Sequence, residues 1–427
     1  MSASGETSAD LGLGNSRTTS SMPEPSVVLD TTLRDGEQAP GVALTPSEKA
    51  EYVRLAEEAG IRYIEVGFPQ NPLDLDACVA AARAARQARI VAMALTTRES
   101  VTLVSDIGAH EVLFVVPSSH DHLSGVFGRP YPALRDCLLD SIEVAHALGL
   151  AVNVGLEDAS EGDLDMIFRL LDDLAPVADR VGCVTVPDTR GQLLPGETIT
   201  LLSAIRGHLP HADCRLAFHA HNDLGLATAN TLAALQMRPA VDCVHVTSCG
   251  FGERAGNASL EQIAVILALK LHRPTGIRLD HLLSLCQYTE AVFSTSAGVH
   301  APVIGEKVFS HESGLHQRAL LKNSRSYQFL NPEHFGRQVR LVLGKHSGRD
   351  FREYVALMAG CSEAEVASLQ QRFVNGIRPV RAGSRNEKGD SPDEQIRVGL
   401  GVDDIVHLIK MSRSGEQLSG EGSFGQD

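Results

Sequence analysis

From Val27 to about Leu269 the chain alternates short β-branched or apolar runs with longer Ala/Leu-rich amphipathic stretches, and it does so eight times. The runs at 27–31, 62–67, 89–95, 111–116, 151–156, 181–186, 214–219 and 242–247 predict strands. The stretches at 46–59, 71–88, 132–148, 195–207, 224–237 and 258–269 predict helices between them. Eight β-then-α units in roughly 250 residues are the size and rhythm of an α/β chain closed into a TIM (β/α)8 barrel. A doubly wound open sheet also alternates, but it holds fewer strands in this length. The barrel topology makes a demand of its own: chemistry belongs in the loops that follow the C-terminal ends of the strands.

Past Lys270 the alternation stops, and 280–300 and 362–376 read as helices around a loop-rich 305–349. The expected division is a disordered polar leader at 1–24, a barrel over 25–275, a mainly helical extension with loops over 276–380, and a linker and tail over 381–427. Lys plus Arg number 38 against 53 Asp plus Glu, so the net charge of −15 argues against a nucleic-acid or anionic-membrane partner. No apolar run is long enough to span a bilayer, and the leader lacks the apolar centre of a secretory signal. Eight cysteines without metal-type spacing fit reduced thiols, and a cytoplasmic enzyme is expected.

Three segments place chemistry where the barrel requires it. After the first strand run, Leu33-Arg34-Asp35-Gly36-Glu37-Gln38 sets a guanidinium beside a carboxylate, which suits a metal on Asp35 and an anion on Arg34, or a plain surface ion pair. On the seventh run His219 and His221 alternate and so face the same way, a half-site for a divalent ion. After the eighth, Gly250-Phe251-Gly252-Glu253-Arg254-Ala255-Gly256-Asn257 turns over the mouth and offers the Asn257 carbonyl oxygen. This mixed oxygen and nitrogen set suits Mn²⁺ or Mg²⁺, with Co²⁺ and Zn²⁺ open, and the lack of cysteine argues against structural zinc.

These residues resemble the DRE-TIM metallolyases, in the branch of homocitrate, isopropylmalate and citramalate synthases. The likeness rests on L-R-D-G-x-Q with Lys49 downstream, on His219-Ala220-His221-Asn222-Asp223 running to Gly225, on His311 to His316, and on Leu343 to Gly348. It covers about residues 25–350 and is nearest to bacterial homocitrate synthases in HAHNDLGLATANTLAAL. The resemblance implies metal ligands at Asp35, His219, His221 and Asn257, with Arg34 stabilising a developing alkoxide. It implies Gln38 and Glu65 around the carboxylate of a 2-oxo acid, with Glu157 and Thr189 lining the site. It also implies His316 as general base with Tyr327 as its partner, acting from the extension on the site of a second subunit in a domain-swapped homodimer. The implied reaction joins acetyl-CoA to a 2-oxo acid, then hydrolyses the thioester. The cations Arg318, Lys322, Arg325, Lys345 and Arg349 are candidates to hold CoA.

The chain departs from that pattern where relatives hold the distal group of the 2-oxo acid. The third strand run ends without charge at Ala92-Met93-Ala94-Leu95-Thr96-Thr97, the fifth offers Asn153 and Gly155, and Arg190 follows Asp188-Thr189 on the sixth. Asn153 and Arg190 are therefore expected to contact substrate, or Arg190 turns to solvent or an acid. A guanidinium suits a short anionic group, so phosphonopyruvate or oxaloacetate is expected, with 2-oxoglutarate the alternative. His120 and His122 are further candidates in the same region. An acyl-CoA lyase of the same fold is the other class in view; Cys249 beside Gly250 faintly matches its cysteine loop, and the long extension disfavours it.

Overall fold

The structure, a computed structural model, describes residues 27–125, 128, 130–376 and 400–414. The leader, the stretch 381–396 and the last dozen residues of the sequence reading lie outside these. Eight parallel strands close in chain order: β1 Val27–Asp30, β2 Tyr63–Glu65, β3 Arg89–Ala94, β4 Glu111–Pro117, β5 Ala151–Glu157, β6 Val181–Asp188, β7 Arg215–Ala220 and β8 Cys243–Val246. Each lies within two residues of its expected run. The ring shuts where β1 pairs with β8, from Val27 opposite Cys243 to Asp30 opposite Val246, and leaves no free sheet edge.

The first two helices outside the ring are α1 Pro46–Glu58 and α2 Leu75–Ala84, followed by α3 Arg98–Asp106, α4 His120–Gly125 and α5 Tyr131–Ala147. Next come α6 Leu164–Asp173, α7 Pro195–Arg206, α8 Ala227–Gln236 and α9 Leu260–Val265. Helix α1 shows why such stretches coil. Thr45 accepts from the Glu48 amide while the Glu48 carboxylate takes the Thr45 amide, Pro46 fills the first turn, and Lys49, Tyr52, Val53 and Ala56 form the buried stripe. Helices α3 and α6 follow their strands as the alternation predicts, and α4 is an added turn before α5. Helix α6 begins where Asp163 Oδ1 accepts the Asp165 and Met166 amides, and it buries Met166, Ile167, Leu170 and Leu171.

The lumen is filled from below by Leu29, Val91, Leu113, Cys183, Ala217 and Cys243. Beneath them Glu111 takes Arg89 Nε at 2.7 Å on one oxygen and Asn153 Nδ2 at 3.0 Å on the other, with Arg215 Nη2 at 3.8 Å. The barrel is thus plugged at its N-terminal floor and open at its C-terminal mouth.

After the barrel, α10 Leu279–Phe293 leads into a loop region whose Val303, Ile304, Phe309 and Phe335 join the main core. Then α11 Gly314–Lys322, α12 Arg349–Ala359, α13 Glu363–Gly376 and α14 Val402–Ser414 surround a three-stranded sheet of β9 Ser310–His311, β10 Arg340–Leu343 and β11 Leu400–Gly401. The extension is mainly helical and adds this small sheet. One expectation is corrected: 400–414 is not linker or tail, since Ile405 and Ile409, one helical turn apart, pack with Leu343, Phe351, Val355 and Val366 in a second small core. Among the described residues no helix is long and apolar enough to cross a membrane.

Candidate active site

The loop after β1 is wound tightly enough to aim its side chains. The Thr31 carbonyl accepts the amides of Arg34 at 3.1 Å, Asp35 at 2.8 Å and Gly36 at 3.1 Å. Below it, buried Asp30 takes the Thr32 amide at 2.9 Å and the Tyr52 hydroxyl at 2.6 Å, while Thr32 Oγ1 accepts the Ser248 amide at 2.8 Å from the loop after β8. Burial drives the Asp30 carboxyl above its ordinary range despite the donors on it. On this support Arg34 Nε donates to Glu65 Oε1 at 2.8 Å and Nη1 to Asp35 Oδ2 at 2.6 Å.

Asp35, His219 and His221 converge. His219 Nε2 lies 3.2 Å and His221 Nε2 4.0 Å from Asp35 Oδ2, the two Nε2 atoms are 3.3 Å apart, and all three residues are buried. Two imidazole nitrogens facing one carboxylate in a buried pocket are a donor set for a divalent ion. Asn257 reaches Asp35 Oδ1 through Nδ2 at 3.0 Å, and its own buried Oδ1 has no partner. That unpaired carbonyl oxygen, beside Asp35, fits a fourth donor to the cluster. Burial works against the Asp35 charge, yet Arg34 and the two histidines hold its carboxyl well below the ordinary range. His221 is pushed down to about 4 by burial and by His219, so it is held as the neutral imidazole a metal needs.

Above the cluster opens a cavity of about 380 Å³. Gln38, Glu157 and Thr189 line it, and burial raises the Glu157 carboxyl against the pull of Arg34. Glu65 is fully buried behind Arg34 and orients that guanidinium instead of lining the cavity.

Two expected substrate residues are elsewhere. Asn153 sits at the floor on Glu111, at the opposite end of β5 from Glu157. Arg190 grips Asp158, with Nε at 3.0 Å and Nη2 at 2.5 Å, and does not line the cavity. Asp158 is buried in a left-handed turn, φ 59°, which draws the guanidinium outward to it.

His316 and Tyr327 stack with ring centroids 4.0 Å apart in the extension, and neither lines the cavity of its own barrel. Arg318, Lys322, Arg325, Lys345 and Arg349 are all exposed on that same extension.

The structure adds His245 and Arg254, which the sequence reading left unassigned, and brings the candidate His122 to the cavity. His245 of β8 packs edge-on to His219 at 5.4 Å and lines the cavity, and burial holds it neutral. Arg254 ties the mouth together, donating to Asp223 Oδ1 at 2.9 Å and to the Thr189 carbonyl at 2.6 Å. His122 lines the wall with Nε2 3.4 Å from Asp158. Arg254 was legible in the G-E-R-A-G-N segment. His245 was a lone histidine in an apolar run, and only its register opposite His219 marks it.

Comparison with known proteins bears on these features. Residues 26–289 match the HMGL-like family model, and residues 303–373 match the homocitrate synthase post-HMGL domain-like model. The chain is 36% identical over 328 residues to a putative (R)-citramalate synthase of Methanopyrus kandleri, covering 76% of this chain and 63% of that protein. It is 32% identical over 381 residues to a homocitrate synthase of the same organism, covering 88% of this chain and 92% of that one. It thus spans somewhat less than two thirds of the length of the first curated relatives it matches. Among solved structures, the HMG-CoA lyase of Bacillus subtilis superposes with a TM-score of 0.57 at 22% identity, over 64% of this chain and 95% of that one, a likeness of fold. With the two family models covering barrel and extension, and the Arg34-Asp35 and His219–His221 segments meeting at one mouth, the chain belongs to the HMGL-like family, in the DRE-TIM metallolyase branch that includes the citramalate, isopropylmalate and homocitrate synthases.

Proposed function

We propose that this chain condenses acetyl-CoA with a 2-oxo acid and hydrolyses the resulting thioester. The observation that carries the reading is the convergence of Asp35, His219 and His221 beside Arg34 at the base of a 380 Å³ cavity. A divalent ion bound there, Mn²⁺ or Mg²⁺ by its donors, would supply Lewis acidity toward the ketone of a 2-oxo acid. Arg34, pinned by Glu65 and Asp35, presents its guanidinium where negative charge develops as the ketone is attacked. His316, stacked on Tyr327, takes the proton from the acetyl methyl group, and it does so in the cavity of a second copy, since it lies outside its own. The exposed cations around it meet the phosphates of CoA. That arrangement requires a domain-swapped homodimer, and all of these groups work in a cytoplasmic, reduced setting.

For the 2-oxo acid the cavity favours a short apolar distal group. Phe68, Met93, Leu95, Leu113 and Val115 form the wall, and the guanidiniums that line the cavity are already held by carboxylates, Arg34 by Asp35 and Glu65 and Arg254 by Asp223. A distal carboxylate or phosphonate would lose its hydration without gaining a free cation. This replaces the expectation built on Arg190, which is engaged by Asp158.

The test is release of CoA with Mn²⁺, acetyl-CoA and a panel of pyruvate, 2-oxoisovalerate, 2-oxoglutarate, oxaloacetate and phosphonopyruvate, with Arg190→Ala in parallel. Preference for pyruvate or 2-oxoisovalerate, with the same ranking in the variant, is the expected result. Preference for a dianionic acid that the variant loses would restore Arg190 as a specificity residue. No release from any acid would overturn the condensation itself.

A further inference from the structure

Lys49 is the one lysine whose side chain is fully out of solvent in α1, and the reaction as described gives it no part. Its ammonium donates to the Leu33 carbonyl at 2.9 Å, to the Val66 carbonyl at 2.9 Å and to Asp74 Oδ1 at 2.7 Å, with Glu37 Oε2 at 2.6 Å. Burial favours loss of the proton, but Asp74 and Glu37 hold it on.

The two carbonyls are the informative partners. Leu33 immediately precedes Arg34, and Val66 immediately follows Glu65, so Lys49 bridges the backbones on either side of the 2.8 Å Arg34–Glu65 pair. Its carboxylate partners extend the tie. Asp74 Oδ2 accepts the amide of Phe68, a wall residue of the cavity, at 2.8 Å, and Glu37 Oε1 accepts the Leu44 amide at 2.7 Å where the loop after β1 ends. Gly67 shows how closely this is packed: its φ is 143°, and a Cβ there would sit 2.3 Å from Asp74 Oδ2 and 3.0 Å from Lys49 Nζ.

We infer that Lys49 is a positioning residue for the reaction, its buried ammonium fixing the loop that carries Arg34 and Asp35 against the end of β2 that carries Glu65. The inference deepens the proposed condensation and rests on the same site, but it concerns the placement of the loop and can be read without turnover.

A lost buried charge could mimic lost positioning, and the experiment separates them. Lys49→Met combined with Glu37→Gln and Asp74→Asn removes the ammonium together with both counter-charges, while the amides retain acceptors for the Leu44 and Phe68 backbone. The readouts are thermal midpoint, Mn²⁺ affinity of the metal-free protein by EPR, and kcat and KM. The expected result is a midpoint well above that of Lys49→Met alone, with Mn²⁺ affinity about 10-fold weaker or more. Turnover is expected to fall about 100-fold with KM for acetyl-CoA little changed, the pattern of misplaced groups. Wild-type Mn²⁺ affinity and kcat in the triple variant would overturn the inference, since Lys49 would then only balance charge. Should the triple variant fail to fold, Lys49→Met with Asp74→Asn alone removes the bridge between the two carbonyls and leaves only the Glu37 carboxylate without its partner. Undiminished Mn²⁺ affinity in it would overturn the inference, and weakened affinity in a folded protein would sustain it. A wild-type protein that binds Mn²⁺ but releases no CoA defeats the condensation and leaves the placement of the Arg34–Asp35 loop by Lys49 to be read from Mn²⁺ affinity; one that does not bind Mn²⁺ defeats both.

Discussion

At the floor of the barrel Glu111 is buried, and both of its oxygens are met by Arg89, Asn153 and Arg215. At the mouth, Glu65 Oε2, the Nδ1 atoms of His219, His221 and His245, and Asn257 Oδ1 are all buried without a hydrogen-bond partner. Both ends hold carboxylates, cations and amides inside the same ring of strands. A buried polar group left unpaired costs about 1–3 kcal/mol, so this cluster calls for a partner such as an ordered water or a bound ion. The floor satisfies itself and closes the barrel; the mouth is arranged for a ligand. The division follows the strand direction, as the fold class demands.

Substitution at each end should separate these roles. Asp35→Ala is expected to lower CoA release by about 10³-fold or more, because it removes both a metal donor and the partner that holds Arg34. The same variant should lose the stabilisation Mn²⁺ gives the native state, about 2.7 kcal/mol at a hundredfold excess over Kd. Calorimetry with and without EDTA reads this directly. If Asp35→Ala kept its Mn²⁺-dependent rise in Tm, the metal would lie elsewhere.

Glu111→Ala is the counterpart at the floor. It should cost about 2 kcal/mol by leaving Asn153 and two arginines without their acceptor, seen as a lower urea midpoint. Turnover per folded molecule and the Mn²⁺ response should stay as in the wild type. A Glu111 variant that folds normally but turns over slowly would break the division between the two ends.

The smallest effect comes from Glu57, near the start of β3, whose Oε1 accepts the amides of Arg86, Gln87 and Ala88 at 2.8, 2.7 and 2.7 Å. Partial burial raises its carboxyl, but the three amides outweigh it and hold the pKa below the ordinary 4.5. A depressed folded pKa contributes stability that is present above 4.5 and lost as pH falls through the folded value. Glu57→Gln should therefore cost less than about 1 kcal/mol near neutrality, the site being only partly buried, and the gap from wild type should shrink below pH ~4.5. Urea titrations at neutral and acidic pH measure it, and a gap that widened on acidification would contradict the assignment.

The barrel was legible because its period repeats, and the convergence of Asp35 with the two histidines because His219 and His221 alternate at a strand end. What the sequence did not carry was height. Asn153, Gly155 and Glu157 share one face of β5 by the same alternation, yet about 3.3 Å of rise per residue puts Asn153 some 13 Å below Glu157. The pattern that correctly placed Glu157 at the mouth was silent on which of its neighbours lay at the floor. Arg190 was misread for a different reason. Its partner Asp158 is brought within reach by a left-handed backbone turn at a non-glycine residue, which no residue pattern announces. Helix α14 was hidden by its short apolar stripe, Ile405 and Ile409, inside a strongly polar neighbourhood.

Asn257 Nδ2 meets Asp35 Oδ1 across 222 residues of chain, and His219 enters the same contact from β7. Asn257 already bridges to His221 from the loop after β8, but Asp35 joins them only when β8 has paired with β1. The donor cluster is thus a record of ring closure: a nascent or partly unfolded barrel with its first seven strands in place holds His219 and His221 but no seam to set Asn257 against Asp35. A divalent ion held by Asp35, His219 and His221 would therefore act as a clasp across the β1–β8 seam, and its affinity would report whether the circle is complete.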